Sequence, residues 1–105
     1  MPKVIVSGVS KHAMLQAVPR INERLEKELN IPEEWVETEL LSCEFFSSKG
    51  VVEHCPMIDI YWFNRPQDVC NAAAAIYADE LHAEGYDRVI LQFIETARNL
   101  WYDLK

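Results

Sequence analysis

The first apolar run, Lys3-Val-Ile-Val-Ser-Gly-Val9, is short, rich in β-branched residues and closed by Gly8 and Ser10, which predicts a mostly buried strand. From Lys11 to Asn30 the period changes. Met14, Leu15, Val18, Ile21, Leu25 and Leu29 recur at three- and four-residue steps, while Arg20, Glu23, Arg24, Glu26, Lys27 and Glu28 fill the other face, as in an amphipathic helix. Pro19 lies inside this pattern and has no backbone donor, so a kink is expected there, with a separate first turn as the alternative. Ile31-Pro-Glu-Glu-Trp35 breaks the helical period, and Val36 to Phe46 reads as a second strand in which Glu37 and Glu39 alternate with apolar or branched neighbours. Ser47-Ser-Lys-Gly50 is a turn cluster, and the stretch through Cys55 reads as an irregular connection.

The same sequence of patterns then recurs. Pro56 to Phe63 is again a proline followed by an extended apolar run. Pro66 suits a helix start, Asp68 sits near its positive end, and Val69, Ala73, Ile76 and Leu81 form a stripe that Gly85 ends. Asp87 to Glu95, centred on Val89-Ile-Leu-Gln-Phe-Ile94, is a further buried strand. The reading is a strand-helix-strand unit written twice, an α+β, two-layer chain with a four-stranded mixed sheet and two helices on one face. One domain over 1–105 is expected, with half-repeats of about 1–50 and 56–105. Two helices cover one sheet face only, yet the third and fourth strands carry large apolar side chains on both alternating sets. The other face therefore calls for a partner, and self-association is expected.

Composition narrows the function classes. With 105 residues there is enough chain for one core and too little for two ordinary domains; half the residues are apolar and 26% charged, as in globular proteins. A net charge of −7 argues against nucleic acid as a partner, which needs clustered Lys and Arg. No run reaches the length of a spanning helix and Met1 to Ser10 lacks the character of a signal peptide, so a membrane is not expected and a cytoplasmic location is. Cys43, Cys55 and Cys70 are odd in number, which favours reduced thiols. His12, His54 and His82 show no metal-ligand spacing with them, and neither a glycine-rich phosphate loop nor a Gly-x-Ser-x-Gly elbow occurs. No metal and no cofactor are expected.

The duplicated unit beginning Met1-Pro2 resembles the tautomerase superfamily, which includes 4-oxalocrotonate tautomerase and macrophage migration inhibitory factor. In Val18-Pro19, Glu39-Leu40, Pro56-Met57-Ile58, Trp62-Phe63-Asn64-Arg65 and Trp101-Tyr102-Asp103-Leu104 the chain resembles an uncharacterised, tautomerase-like bacterial family within it. Asp87-Arg88-Val89 followed by Trp101 resembles the end of macrophage migration inhibitory factor. The resemblance covers nearly the whole chain. It implies a homotrimer whose three sheets enclose a central barrel, and an enol-keto tautomerase or isomerase acting on a small 2-oxo acid or enol.

In that superfamily the amine of an amino-terminal proline is the base, which points to Pro2 once Met1 is removed. A free α-amino group titrates near 7.7 to 8, and an apolar pocket or nearby cation lowers it toward the range where base catalysis is efficient. The base needs a group that holds a substrate carboxylate or developing oxyanion. Arg65 is the candidate, near where a family arginine follows the corresponding strand; a surface ion pair at a helix start is the alternative. Arg98 and Trp101 fall where the family places pocket-bordering residues, with subunit packing as the alternative for Trp101. Lys11 is the basic residue equivalent to Arg65 in the first half, and there a solvated surface position is the favoured reading over substrate binding. One departure stands out. Smaller members of the family carry a second arginine in the strand after the first helix, where this chain has Glu37, and Ile90 at the equivalent place in the second half. Glu37 would repel an acidic substrate, which disfavours dicarboxylates. Glu37 and Glu39 share a strand face, where paired carboxylates can serve acid-base chemistry and a solvated strand edge is the plainer reading.

Two further readings stand beside the enzyme. One is a non-catalytic oligomeric ligand-binding protein on the same scaffold. The other is a ferredoxin-like sandwich, which shares the element order but has an antiparallel sheet throughout.

Overall fold

A computed structural model describes residues 1–105. Strand β1 (Lys3–Ser7) leads through Gly8 to helix α1 (Lys11–Leu29), then a single 3-10 turn (Glu33–Trp35) and strand β2 (Glu37–Leu40). A short hairpin of β3 (Phe45–Ser47) and β4 (Gly50–Val52) follows. The second half is β5 (Met57–Trp62), α2 (Gln67–Ala83) and β6 (Ile90–Glu95), ending in another 3-10 turn at Arg98–Leu100. No helix is long and apolar enough to cross a membrane.

The main sheet has the order β2-β1-β5-β6. Each half pairs its own strands in parallel, Lys3 opposite Glu37 in the first and Met57 opposite Ile90 in the second. The halves meet through antiparallel β1 and β5, with Lys3 opposite Tyr61 and Ser7 opposite Met57. Parallel pairing within each half is the pattern expected of the tautomerase plan and excludes the antiparallel ferredoxin-like sheet. The duplication extends to single hydrogen bonds: the amide of Glu37 donates to the carbonyl of Pro2 at 3.0 Å, and that of Ile90 to the carbonyl of Pro56 at 2.9 Å.

Alternation in the strands decides the layers. Val4, Val6, Ile58, Ile60 and Trp62 face the helices and are almost fully buried against Ala13, Ala17, Ile21 and Leu25 of α1 and Ala73, Ile76, Tyr77 and Leu81 of α2. Both helices therefore lie on one face. α1 begins at Ser10, whose side chain accepts the amide of Ala13, and ends at Asn30 in the left-handed region. Across the helix pair, Arg20 bridges Glu80 and Glu84 at 2.7 and 2.8 Å, and Arg24 reaches Asp79 and Glu80.

One alternative and one expectation need correction. The helix runs unbroken through Pro19 from Lys11 to Leu29, so no separate first turn precedes it. The second strand ends at Leu40, and Phe45 and Phe46 belong to the hairpin, whose register places Phe45 opposite Val52 and Ser47 opposite Gly50. Val51 and Val52 of the stretch read as irregular belong to β4, and Glu53 to Cys55 have no regular structure. Gly50, at φ 108°, supplies the left-handed backbone its turn requires.

The uncovered face of the sheet is mixed. Ile5, Met57, Tyr61, Ile90 and Ile94 alternate with the core set and remain partly exposed, with Lys3, Glu37, Glu39, Asp59 and Gln92 among them. Gln92 donates to Asp59 across β5 and β6 at 2.8 Å.

Candidate functional site

The antiparallel meeting of the halves sorts the candidate residues by sheet end. Pro2 precedes β1, and because β5 runs the opposite way, its last residue Trp62 and the following Phe63 and Arg65 arrive at the same end. β6 runs parallel to β5, so Arg98 and Trp101 arrive there too, as does Glu37 at the start of β2. The structure thus brings Pro2, Arg65, Arg98 and Trp101 to one end of the sheet. Lys11 follows the other end of β1 and borders an apolar groove with Leu15, Val18 and Leu40. Its equivalence to Arg65 in the repeat is the reason: antiparallel halves send equivalent residues to opposite ends.

Two neighbouring clefts occupy the Pro2 end and share Met1, Glu37 and Trp101 as walls. The first, of about 340 Å³, is lined by Pro2, Lys3, Ile5 and Tyr61 in addition to the shared three. The second, of about 400 Å³, adds Glu34, Trp35, Phe63, Arg65, Arg98 and Asp103. Pro2 is buried, its carbonyl tied to Glu37. While Met1 is attached, the nitrogen of Pro2 is an amide, with neither a proton to give nor a basic lone pair.

The arginines are held by aromatic faces and not by carboxylates. The Arg65 guanidinium lies 5.0 Å from the centroid of Trp62, which stacks on Phe93 with centroids 4.4 Å apart. Arg98 lies 4.2 Å over Phe63, and Phe63 meets Trp101 edge-on at 5.5 Å. Neither arginine makes a salt bridge, whereas Arg20 and Arg24 on the helices are fully paired. The Nε of Arg65 is buried without a hydrogen-bond partner. Burial, and then the positive charge of Arg98, pull the Arg65 pKa below the usual arginine value. A guanidinium stays protonated under such pressure, so this is the signature of a cation short of an anion.

Sequence reasoning missed Glu34, Trp35, Phe63 and Asp103 as cleft residues. Phe63 and Asp103 sat inside motifs already singled out, and Trp35 was an aromatic in a stretch without period. Nothing in local pattern tells that these segments converge. Elsewhere, His54 stacks on Phe45 at 4.6 Å and bonds the carbonyl of Cys55 at 2.9 Å, a packing role within the hairpin region. No three His, Cys, Asp or Glu side chains come together as a metal-holding group.

Residues 1–104 match the model of a family described as a domain of unknown function, DUF1904. The chain belongs to that family. A search of the curated proteins finds no match. Among solved structures, a DUF1904 domain from Sebaldella termitidis is similar with a TM-score of 0.89 at 20% identity, over 98% of this chain and 95% of that one. A macrophage migration inhibitory factor-like protein from Entamoeba histolytica matches with a TM-score of 0.73 at 16% identity, over 97% and 95%. A fused 4-oxalocrotonate tautomerase described as a symmetric trimer matches with a TM-score of 0.68 at 15% identity, over 91% and 86%. The DUF1904 chain therefore has the tautomerase fold and a tautomerase-like scaffold.

Proposed function

We propose that this DUF1904 protein is an enol-keto tautomerase acting on a small 2-oxo acid, with the amine of Pro2 as base after Met1 is removed. The observation that supports the reading is a buried Pro2 at one cleft beside a second cleft that holds two arginines without carboxylate partners. Arg65, supported by Arg98, would hold the substrate carboxylate through the fork of its guanidinium, oriented by stacking on Trp62. The neutral amine would take the enol O–H proton and return a proton to the neighbouring carbon, so that an O–H bond is lost, a C–H bond is gained and no oxidant is needed. Trp101 would wall the reacting atoms from solvent, and Lys11 has no part at this end.

Self-association belongs to the same proposal. A homotrimer would cover Ile5, Met57, Tyr61, Ile90 and Ile94, and the trimeric solved relative supports it.

One observation favours the second reading, a non-catalytic ligand-binding protein. Glu37 stands at the Pro2 cleft, and a carboxylate near an amine favours its protonated form, which is no base. The test is intact mass of untagged protein together with an enol-keto assay. Protein lacking Met1 is expected to turn over an enol-form 2-oxo acid, and Pro2→Ala is expected to lower the rate by about a hundredfold or more. Retention of Met1 throughout would exclude the proline base and leave the binding-protein reading.

A further inference from the structure

The second cleft carries charges of both signs. Arg65 and Arg98 line it, and so do Glu34, Glu37 and Asp103, together with Trp35 and Trp101. None of the three carboxylates is ion-paired with either arginine, nor does Glu37 bridge Lys3, its neighbour across the β1–β2 ladder. Opposite charges thus line one cavity of about 400 Å³ without neutralising each other. Trp35 is 50% exposed and Trp101 41%, so each has ring surface free for contact. Aromatic faces beside carboxylates attract cations, the reverse of what the arginines attract.

We infer that this cleft takes a bipolar ligand: a 2-oxo acid whose carboxylate meets Arg65 and Arg98 and whose side chain ends in a positively charged group lodged against Glu37, Glu34 and the two tryptophans. The inference rests on reading this end as a 2-oxo acid site and adds the chemistry of the far end of the ligand. A second carboxylate on the substrate would meet Glu37 as a like charge, and the −7 charge of the whole chain disfavours dianions further. Glu37 is in this account the residue that determines specificity. It stands on a regular strand, its amide fixed by Pro2, so the backbone places its side chain at the cleft independently of ligand.

The test is calorimetric or NMR titration of the full chain with three acids sharing a 2-oxo head and differing at the tail. These are 2-oxohexanoate with a neutral end, 2-oxoadipate with a carboxylate, and 5-guanidino-2-oxopentanoate with a cation. The cationic acid is expected to bind about tenfold more tightly than the neutral one, and the dicarboxylate more weakly than either. In Glu37→Gln, an exposed and nearly isosteric change, the cationic advantage is expected to fall to about threefold or less. Glu34→Gln reads out the same ratio from a separate segment should the first variant fold poorly. Tight binding that ignores the tail, or that favours the dicarboxylate, overturns this inference and leaves the 2-oxo acid site standing. Failure of all three acids to bind removes the site and the inference together.

Discussion

Arg65 shows how much one side chain can be made to do by its surroundings. It is stacked on a buried tryptophan, its Nε is enclosed without a partner, and Arg98 repels it. Replacing it with Lys keeps a charge but loses the planar fork and the stacking, so affinity for a 2-oxo acid is expected to fall about tenfold or more while the melting temperature changes little. Titration and a thermal melt on the same sample check this. Gly8 is constrained by backbone alone. At φ 76° an added Cβ would lie 2.6 Å from the carbonyl oxygen of Cys55, so Gly8→Ala is expected to cost about 2 kcal/mol or more in chemical denaturation. At this scale the superfamily resemblance singled out Pro2, Arg65, Arg98 and Trp101, which the fold brings to one end of the sheet. Trp35 and Glu34 were not singled out, because they reach the cleft only where a 3-10 turn ends beside Arg98, over sixty positions later in the chain.

Between elements, the helix pair is fastened by Arg20 and Arg24 against Glu80. Arg20, then Arg24, hold the Glu80 carboxyl below its usual range despite some burial that acts the other way. A carboxyl with a lowered folded pKa stabilises the protein above its ordinary value near 4.5, and that contribution is lost as pH falls through the lower folded value. Glu80→Gln is therefore expected to lower the melting temperature by a few degrees at pH 7, with the difference from the parent shrinking toward pH 3, as read by thermal denaturation across pH. Elements with a full period were legible: α1, α2, β1, β5 and β6 all follow the spacing of their apolar residues. The end of β2 was not, since Leu41-Ser-Cys-Glu-Phe-Phe46 continues the alternation of apolar and polar positions and so gives no sign of where the strand stops. The division comes instead from the hairpin, which pairs Phe45 with Val52 across a turn at Gly50.

For the whole molecule, the pseudo-repeat explains both what is shared and what is not. Equivalent residues sit at opposite ends of the sheet, so Pro2 and Arg65, which are not equivalent, become neighbours of one region while Lys11 is carried away from it. The uncovered face was legible from the strand alternation, although Asp59 and Gln92 make it more polar than large residues on both sides of β5 suggest. If copies of the chain cover this face, Ile94→Glu in β6 should dissociate them, shifting the mass in light scattering from an oligomer to a monomer, with helical content kept. The central claim, that Pro2 acts as a base toward a 2-oxo acid, is tested most directly by proton NMR of deuterium uptake at the carbon next to the ketone. Protein whose mass shows Met1 removed should catalyse the exchange, Pro2→Ala should do so about a hundredfold or more slowly, and the Met1-bearing form should not. Equal exchange by all three forms, or none by the Met1-free protein on an acid that it binds, would contradict it.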